Sequence, residues 1–404
     1  MDGALALKHP TKELFYLPEG VIYLDGNSLG PLPLRTPERV AETLNAEWGE
    51  MMIGAWNRAG WMEQPTALGD RVGRLIGAEP GHVTLGDTLS IKVFQALAAA
   101  LAMTERKVVL SDSGNFPSDL YIAEGLIGTL DRGHSLRVVE PDAVADALTE
   151  EVGVLLLTQV DYRTGRMHDM EALSAKAREC GALCIWDLAH SAGAFPVEVA
   201  AAGADFAVGC TYKYLNGGPG APAFIYVAPR HAQAARPALS GWLGHDAPFA
   251  FEPSYRPGDG VERMRVGTPP VIQMAALEAS MDIWDTVDLA AVRAECVRLS
   301  ERFIAGIELA CPDLVLASPR AASQRGSQVS FHHPNGHACI AACIDEGVVG
   351  DFRAPDIMRF GITPLYIDEA DVDAAVTVIA RVINDRLWDD VRYQRLSKDG
   401  GAVT

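Results

Sequence analysis

Short, nearly uniform apolar runs alternate with helical stretches through the middle of this chain, and that alternation constrains its fold most. Residues 152–158 and 182–186 form the clearest runs, and residues 108–110 and 204–210 form two more. A stretch with helical spacing, residues 170–179, separates two of them. Strands that are apolar on both faces and alternate with helices are typical of a parallel sheet covered by helices on both sides. The pattern therefore predicts an α/β fold with a mainly parallel sheet.

The chain has 404 residues, which is long enough for more than one core, and its texture changes near residue 270. We predict a loop-rich N-terminal segment at residues 1–45, a large domain at 46–270 and a smaller α+β domain at 271–404. The elements predicted in the outer parts are helices over residues 38–54, 68–103 (broken at 77–87), 271–284, 289–309 and 370–388, and strands over 328–332 and 357–360.

The charge balance and composition exclude several classes of protein. Lys and Arg number 34 and Asp and Glu 53, which gives a formal net charge of −19, and no basic block occurs. Nucleic acids and anionic membranes both need a basic face, so neither is an expected partner. No apolar run reaches the ~18 residues of a membrane span, and residues 1–10 show no secretory leader. The cysteines, 7 in number and widely spaced, predict reduced thiols and a cytoplasmic protein.

Polar and aromatic residues follow the four predicted strands of the middle region. Asp187 follows the third strand, Lys213 lies just beyond the fourth, and Thr158 closes the second. Phe116 and Asp119 lie a few residues past the first strand. Ligands of open α/β sheets bind beyond the carboxyl ends of the strands, so these side chains mark a candidate site.

An aspartate at one strand end and a lysine at a later one suit pyridoxal 5'-phosphate (PLP). The Lys213 amine would condense with the cofactor's aldehyde, and the Asp187 carboxylate would pair with its pyridine nitrogen and keep that nitrogen protonated. A lysine after a buried strand is equally well a solvated loop residue. Spacing alone leaves both interpretations open.

A phosphate group needs hydrogen-bond donors, and the stretch Gly-Asp-Thr-Leu-Ser at residues 86–90 precedes a predicted helix. Free amides and hydroxyls at a helix N-terminus form a natural phosphate site. The alternative is an ordinary helix cap by Asp87 or Thr88. Tyr212, next to Lys213, is a second candidate phosphate donor.

Two strings around the candidate aspartate and lysine are specific enough to indicate a family. They are Trp-Asp-Leu-Ala-His-Ser-Ala-Gly at residues 186–193 and Thr-Tyr-Lys-Tyr-Leu-Asn at 211–216. With further strings at residues 24–30, 115–119 and 241–245, and Arg359 before residues 364–366, the chain resembles the kynureninase family. The resemblance runs from about residue 20 to 390. It implies the aspartate aminotransferase-like fold of fold-type I PLP enzymes, with a large domain and a smaller C-terminal α+β domain.

The resemblance also implies a role for each candidate side chain. Lys213 would carry the cofactor, Asp187 would pair with its pyridine nitrogen, and Phe116 would stack on its ring. Arg359 would bind the α-carboxylate of the substrate, which a planar two-donor fork suits. The other cofactor-binding residues implied are Leu89 (through its amide), Ser90 and Tyr212 at the phosphate, Asp119, Thr158 and His190 around the cofactor, and Trp242 and Thr268 from across a homodimer interface.

The implied reaction is hydrolysis of L-kynurenine to anthranilate and L-alanine by cleavage of the Cβ–Cγ bond, a step of tryptophan catabolism. Lys213 would act as the base at Cα, and Tyr212 would protonate the alanine fragment. The sequence does not show which group activates water at the γ-carbonyl. Some relatives carry an asparagine where this chain has Thr268, so the preference between kynurenine and 3-hydroxykynurenine also stays open.

The aryl ring of such a substrate needs an apolar slot with a polar rim. Trp56, Asn57 and Trp61 are candidates, because aromatic side chains stack well on an anthranilate ring. Packing of these tryptophans in the core is the alternative interpretation. Ser28 is a further candidate substrate contact.

Two other functions share parts of this pattern. A cysteine desulfurase or class V aminotransferase would use the same fold, and a desulfurase would need Cys339 or Cys343 as its nucleophile, although both lie in an apolar helical pattern. A PLP-binding regulator without turnover would carry an added DNA-binding module, and the chain shows no basic extension. The His and Cys residues at 332–343 do not match a zinc-site spacing, so no metal is expected.

Overall fold

The computed structural model describes residues 11–398, with side chains as far as residue 394. Residues 1–10, for which the sequence predicts no secretory leader, lie outside the described range. Across residues 11–398, no helix is both long and apolar enough to cross a bilayer. The strands are β1 (Phe15–Tyr16), β2 (Ile22–Tyr23), β3 (Leu32–Pro33), β4 (Val83–Leu85), β5 (Val108–Asp112), β6 (Ser135–Val139), β7 (Val152–Thr158), β8 (Leu183–Asp187), β9 (Phe206–Gly209), β10 (Phe224–Val227), β11 (Val315–Leu316), β12 (Gln328–His332), β13 (Val348–Val349), β14 (Asp351–Arg353) and β15 (Ile357–Gly361). The α-helices are α1 (Thr36–Glu42), α2 (Ala55–Arg58), α3 (Gln64–Leu75), α4 (Leu89–Ala102), α5 (Pro117–Leu130), α6 (Val144–Ala147), α7 (Met170–Cys180), α8 (Val271–Trp284), α9 (Leu289–Ala310), α10 (Gly336–Asp345), α11 (Glu369–Asn384) and α12 (Val391–Lys398).

The central sheet contains seven strands in the order β4-β10-β9-β8-β7-β5-β6. Within this sheet only β10 opposes the others, because it pairs antiparallel with both β4 and β9. The pairs from β9 to β6 are all parallel. Since β4 and β9 both oppose β10, β4 runs with the parallel set, and the carboxyl ends of those strands meet at one edge. The predicted mainly parallel sheet is confirmed.

Both faces of the central sheet are buried, as alternate residues of β7 show. Leu155 and Leu157 pack in a core with residues of α3, α7 and α8, whereas Val154 and Leu156 pack in a second core with residues of α4 and α5. Every residue of β7 is buried. This burial on two faces explains why the strand is apolar throughout instead of alternating with polar residues.

A second sheet is antiparallel throughout and has the order β11-β12-β15-β14. The ring of Phe303 on α9 packs against Phe360 on β15 with centroids 5.4 Å apart, and α9 also packs along α11. Helix α8, which the sequence analysis places in the smaller domain, packs beside α1 and α3. The division of the chain at residue 270 stays a prediction.

The N-terminal segment bridges the two sheets. Strand β2 pairs in parallel with β13, the Leu24 amide donates to the Val349 carbonyl at 2.7 Å, and the Gly361 amide donates to the Leu24 carbonyl at 2.6 Å. Farther along the same segment, the Gly30 amide donates to the Tyr212 carbonyl at 2.8 Å, beyond the end of β9. Residues predicted as loop-rich therefore connect the second sheet to the candidate site.

Three local expectations needed correction. The break predicted between two helices contains strand β4, which is only three residues long and pairs with β10. The helix predicted over residues 38–54 is α-helical only through α1 and continues as a π-helix over Thr43–Glu50. The last predicted helix ends at Asn384 instead of continuing to Trp388, because Arg386 adopts a left-handed backbone with a φ of 54°.

Leu156 tests the packing of the central sheet. Replacing it with alanine removes buried methyl groups from the core beneath α4 and α5, so we expect Leu156→Ala to lower the free energy of unfolding by about 2–5 kcal/mol. Urea unfolding followed by circular dichroism measures the change. Val138→Ala is the matched control, because Val138 lies on edge strand β6 and is 44% exposed. Equal losses for the two variants would contradict the packing described here.

Candidate active site

The edge where the parallel strands end gathers most of the side chains that the sequence analysis selected. Thr158 and Asp187 close β7 and β8 and lie opposite each other in the register of the two strands. The Leu188 amide donates to the Val208 carbonyl at 2.7 Å, which ties the end of β8 to β9. Lys213 follows β9 by a few residues, so three neighbouring strands deliver a hydroxyl, an acid and an amine to one place.

The Lys213 amine has a defined position at this edge. Its Nζ lies 2.9 Å from Nε2 of His190, 5.9 Å from the centre of the Phe116 ring and 5.7 Å from that of the Tyr212 ring. The loop that carries it packs closely on the N-terminal segment, since a Cβ at Gly30 would overlap the Lys213 carbonyl oxygen. The interpretation of Lys213 as a freely solvated loop lysine does not fit this packing.

Two buried carboxyl groups face the amine. Asp187 is 2% exposed, and its Oδ1 accepts the Ala189 amide at 2.9 Å. Burial raises the pKa of Asp187 to about 6, and the Lys213 charge opposes that rise. Burial and the Asp187 charge raise the pKa of Asp119 well above its usual value, and its Oδ2 has no hydrogen-bond partner among the described residues. The site thus holds two acids whose charged forms are destabilised by burial.

His190 is neutral at this site. Its pKa lies well below the usual value because it is buried and because Lys213, Arg359 and Arg353 are positively charged nearby. A neutral ring can accept a hydrogen bond, so Nε2 accepts from an N–H of the Lys213 amino group. Its Nδ1 has no partner among the described residues. The imidazole therefore fixes the direction of the amine without adding charge.

The N-terminus of α4 lies at the same edge, because β4 runs with the parallel strands. Thr88 is the N-cap residue, but its side chain makes no capping hydrogen bond, and Leu89 and Ser90 open the helix. The Asp87 carboxylate instead lies 3.4 Å from Nζ of the fully buried Lys92. The alternative of an ordinary side-chain cap by Asp87 or Thr88 is therefore wrong, and the first amides of α4 are available to an anion.

Arg359 reaches the site from the second sheet. It is 2% exposed, its Nε donates to Asp351 Oδ1 at 2.6 Å, and a second guanidinium nitrogen contacts the other oxygen of Asp351. The same guanidinium donates to the carbonyl of Tyr162 and, at 3.1 Å, to Ser28 Oγ. Ser28 Oγ donates to Asp351 Oδ2 at 2.6 Å, so the predicted substrate contacts Arg359 and Ser28 lie together.

Tyr162 connects this arginine to the lysine. Its carbonyl accepts from Arg359, and its ring meets the Phe116 ring edge-on with centroids 5.1 Å apart. Phe116 in turn lies beside the Lys213 amine. The sequence analysis did not select Tyr162, although it lies four residues beyond Thr158 and so past the end of a selected strand. Asp351 and Arg353 were also missed, because nothing near them in the sequence indicates what they contact.

The remaining predicted site residues do not join this cluster. No hydrogen bond or ring contact in the described part of the chain links any of them to Lys213. Trp242 packs against Phe249, while Trp56 meets Trp61 edge-on at 6.0 Å. Trp61 also lines a surface cavity of about 250 Å³ with Pro269, next to Thr268. The residues set apart from Lys213 in this way are Trp56, Asn57, Trp61, Trp242 and Thr268.

The cysteines considered as desulfurase nucleophiles are unsuited to that role. Cys339 and Cys343 are both fully buried on α10. Burial raises the pKa of Cys339, and burial together with Cys311 raises that of Cys343 to about 12. A thiol with a raised pKa and no exposure is a poor nucleophile. Across residues 11–398, no group of three or more His, Cys, Asp or Glu side chains could hold a metal ion.

Solved structures with this architecture are PLP enzymes and their relatives. The chain superposes on a cysteine desulfurase from Thermococcus onnurineus NA1 with a TM-score of 0.78 and 19% identity, covering 94% of this chain and 98% of that one. A mutant of C-DES with glycine covalently linked to the PLP cofactor gives 0.80 and 18%, covering 92% and 99%. These likenesses show the fold alone, and it is that of fold-type I PLP-dependent enzymes.

Sequence relatives are much closer. A model of the kynureninase C-terminal domain matches residues 292–379. The kynureninase of Pseudomonas fluorescens is 47% identical over 393 residues, which cover 95% of this chain and 94% of that protein. The kynureninase of Burkholderia pseudomallei (strain 1106a) is 48% identical over 400 residues, or 96% of each chain. With nearly half of its residues shared along almost its whole length, the chain belongs to the kynureninase family.

Proposed function

We propose that this protein is a PLP-dependent hydrolase that cleaves the Cβ–Cγ bond of L-kynurenine and releases anthranilate and L-alanine. The observation that carries the proposal is the position of the Lys213 amine beside His190 and two buried acids at the sheet edge, in a chain of the kynureninase family. The desulfurase alternative lacks an exposed thiol. Comparing kcat/KM for kynurenine and 3-hydroxykynurenine would show which of the two substrates the protein prefers.

The residues at the sheet edge fit PLP. The uncapped start of α4 offers the amide of Leu89 and the hydroxyl of Ser90 to a phosphate, and the half-buried Tyr212 hydroxyl is a third donor. The orphaned Asp119 Oδ2 and the buried Asp187 carboxyl provide acceptors for a polar heterocycle. Phe116 offers a ring face, and Thr158 and His190 border the same space. When bound, PLP supplies an aldehyde for amines and a ring that accepts electrons from the substrate's Cα.

Lys213 is the residue that moves protons at Cα in this proposal. Its Nζ takes the Cα proton of the bound amino acid, and the neutral His190 ring keeps that nitrogen aimed at the site. Asp187 becomes an anion above about pH 6 and then pairs with a protonated heterocycle nitrogen. Burial, together with Cys210, raises the pKa of the Tyr212 hydroxyl, so Tyr212 holds its proton at neutral pH and donates it to the alanine fragment.

Arg359 and Ser28 orient the amino-acid end of the substrate. The Arg359 guanidinium binds the α-carboxylate, and it is linked to the Lys213 end of the site through the Tyr162 carbonyl and the contact between the Tyr162 and Phe116 rings. The aryl end then extends towards the pocket for which Trp56, Asn57 and Trp61 are proposed. Because these three do not reach Lys213 within one chain, the proposal assigns them, with Trp242 and Thr268, to the site of a partner subunit.

A homodimer with shared sites is therefore part of the proposal. Several large apolar side chains are exposed close in sequence to the set-apart residues, including Ile53 at 82%, Phe251 at 78% and Phe249 at 65%. Exposed apolar area of this kind marks protein interfaces. A cytoplasmic location is likewise proposed, and the seven cysteines support it, since none forms a disulfide.

Removal of the Lys213 amine tests the proposed function. Purified protein with PLP is expected to release anthranilate from L-kynurenine, followed by its ultraviolet absorbance. Lys213→Ala is expected to lower kcat by about a thousandfold or more, because the group that moves the Cα proton is gone. It should also alter the absorption spectrum of the bound cofactor. A variant that forms anthranilate at the native rate would show that Lys213 has been misassigned.

The raised pKa of Asp187 predicts how stability depends on pH in the cofactor-free protein. The folded state holds this proton more tightly than the unfolded state, so the stability it contributes is complete below about pH 3 and is lost as pH rises through about 6. Asp187→Asn cannot ionise and avoids that loss. The free energy of unfolding of the variant relative to the wild type should therefore rise by about 2 kcal/mol between pH 4 and pH 6.

Urea unfolding at a series of pH values measures this difference. Asp205→Asn is the control, because hydrogen bonds from His231 and the Cys184 amide outweigh burial and lower the pKa of Asp205. The free energy of unfolding of Asp205→Asn relative to the wild type should fall as pH rises, whereas that of Asp187→Asn should rise. The same trend in both variants would contradict the assignment of Asp187 as a buried acid whose charge is not fully compensated in the cofactor-free protein.

The proposed dimer is tested at Ile53. Sedimentation should give twice the 43.3 kDa of one chain. Ile53→Asp is expected to shift the protein to monomer and to lower kcat/KM, because a desolvated charge opposes association and the site loses its second half. Leu309→Asp is the matched control, since Leu309 is 87% exposed on α9. A fully active monomer would exclude shared sites.

A further inference from the structure

A second arginine and a buried aspartate accompany Arg359 at the substrate end of the site. Asp351 opens β14 and lies directly opposite Arg359 in the antiparallel register with β15. Arg353, two residues later on β14, places Nη2 at 2.8 Å from Asp351 Oδ2 and 3.4 Å from Ser28 Oγ. Both guanidinium groups thus share one carboxylate and one hydroxyl.

The hydrogen bonds of Arg359 define which edge of its guanidinium is open. Nε and Nη2 are taken by the two oxygens of Asp351, and that side-on pair fixes the plane of the group. The other hydrogen of Nη2 goes to Ser28 Oγ and one hydrogen of Nη1 to the Tyr162 carbonyl, so among the described residues one Nη1 hydrogen is left for a ligand. A carboxylate that binds at Nη1 therefore meets a guanidinium whose plane Asp351 has already set.

The charges of the cluster explain the second arginine. Arg359 and Asp351 alone would form a neutral pair with little attraction for a substrate carboxylate. Arg353 adds one positive charge at the same carboxylate oxygen, so the trio carries a surplus of one. The Asp25 carboxyl is the other acid nearby; burial, then the Asp351 charge, raises its pKa to about 7, so it neutralises that surplus only in part at neutral pH.

We propose that Asp351 is a positioning residue for the substrate's α-carboxylate, which it serves by orienting Arg359, and that Arg353 supplies the surplus positive charge of the site. The inference rests on the proposed function, since it assigns a further role at the same site. Cross-strand placement on β14 and β15 makes the arrangement rigid, so substrate does not have to organise it on binding.

The first test separates binding from chemistry. Asp351→Asn keeps the shape of the side chain and removes its charge, so Arg359 loses its orienting partner. We expect KM for L-kynurenine to rise about tenfold with little change in kcat, because the lost interaction serves substrate and transition state alike. Cofactor affinity should be unchanged. An unchanged KM would overturn the proposal.

A matched pair beside the second sheet controls for structural damage. Arg325, which precedes β12, is also buried and pairs with Glu301 on α9. Glu301→Gln should lower the melting temperature without raising KM. If Asp351→Asn does not fold, Asp351→Glu replaces it: the longer side chain keeps the charge but shifts the fork, and a native KM in that variant would overturn the positioning role.

A double-mutant cycle shows whether Asp351 acts through Arg359. In an Arg359→Gln background, Asp351→Asn should cause no further loss in kcat/KM. A second tenfold loss there would mean that Asp351 acts independently, which contradicts the proposal.

Ligand binding without turnover separates this inference from the proposed function. L-alanine binds with its carboxylate and L-alaninamide without it, and the cofactor spectrum reports both. Arg353→Gln and Asp351→Asn should each reduce the preference for L-alanine, while Glu301→Gln should keep it. An undiminished preference in both variants overturns the inference even if anthranilate is formed. If the wild type prefers L-alanine but forms no anthranilate, only the proposed reaction fails.

Discussion

Burial of the Asp187 carboxyl at the end of β8 is the constraint on which the rest of the site depends. Taking a carboxyl group out of water is unfavourable unless a cation compensates for it. Lys213 compensates only in part, and the second acid, Asp119, adds to the imbalance. The folded chain therefore maintains a pocket with uncompensated acids, and in the proposed function a ring with a protonated nitrogen would compensate for them. Stability and cofactor binding are opposed at this one residue.

The side chains around Asp187 are brought together by the direction of the strands. Six strands that run the same way end at one edge of the sheet, and they bring an amine, two acids, a hydroxyl and a helix N-terminus to that edge. The second sheet contributes the opposite requirement, which is positive charge for a carboxylate. Arg359 can be buried there because Asp351 pairs with it and Arg353 restores the net charge. In the proposed function, the cofactor and substrate ends of the site are thus built on different sheets.

Much of this arrangement could be predicted from the sequence, for identifiable reasons. Strand β7 and helix α8 were predicted with the bounds they have, because burial on two faces and helical periodicity are strong local signals. Strand β4 was missed because three residues carry no periodicity. Asp351 was missed because its meaning comes from pairing across β14 and β15, and no spacing in the sequence encodes that contact. Trp56, Trp61 and Trp242 lie apart from Lys213 within this chain, and their place in the site depends on the proposed dimer, which a single sequence does not encode.

The bridging N-terminal segment has a consequence for how the protein is made. Ser28 leaves the ribosome early, yet its partner Arg359 lies 331 positions later in the sequence. The hydrogen-bond partners of Leu24, Val349 and Gly361, are also synthesised late. Contacts this distant in sequence cannot form until nearly the whole chain has been synthesised. The contacts among Ser28, Asp351 and Arg359 therefore form only late in synthesis, and a nascent chain that stalls before Arg359 would carry the strands of the central sheet without them.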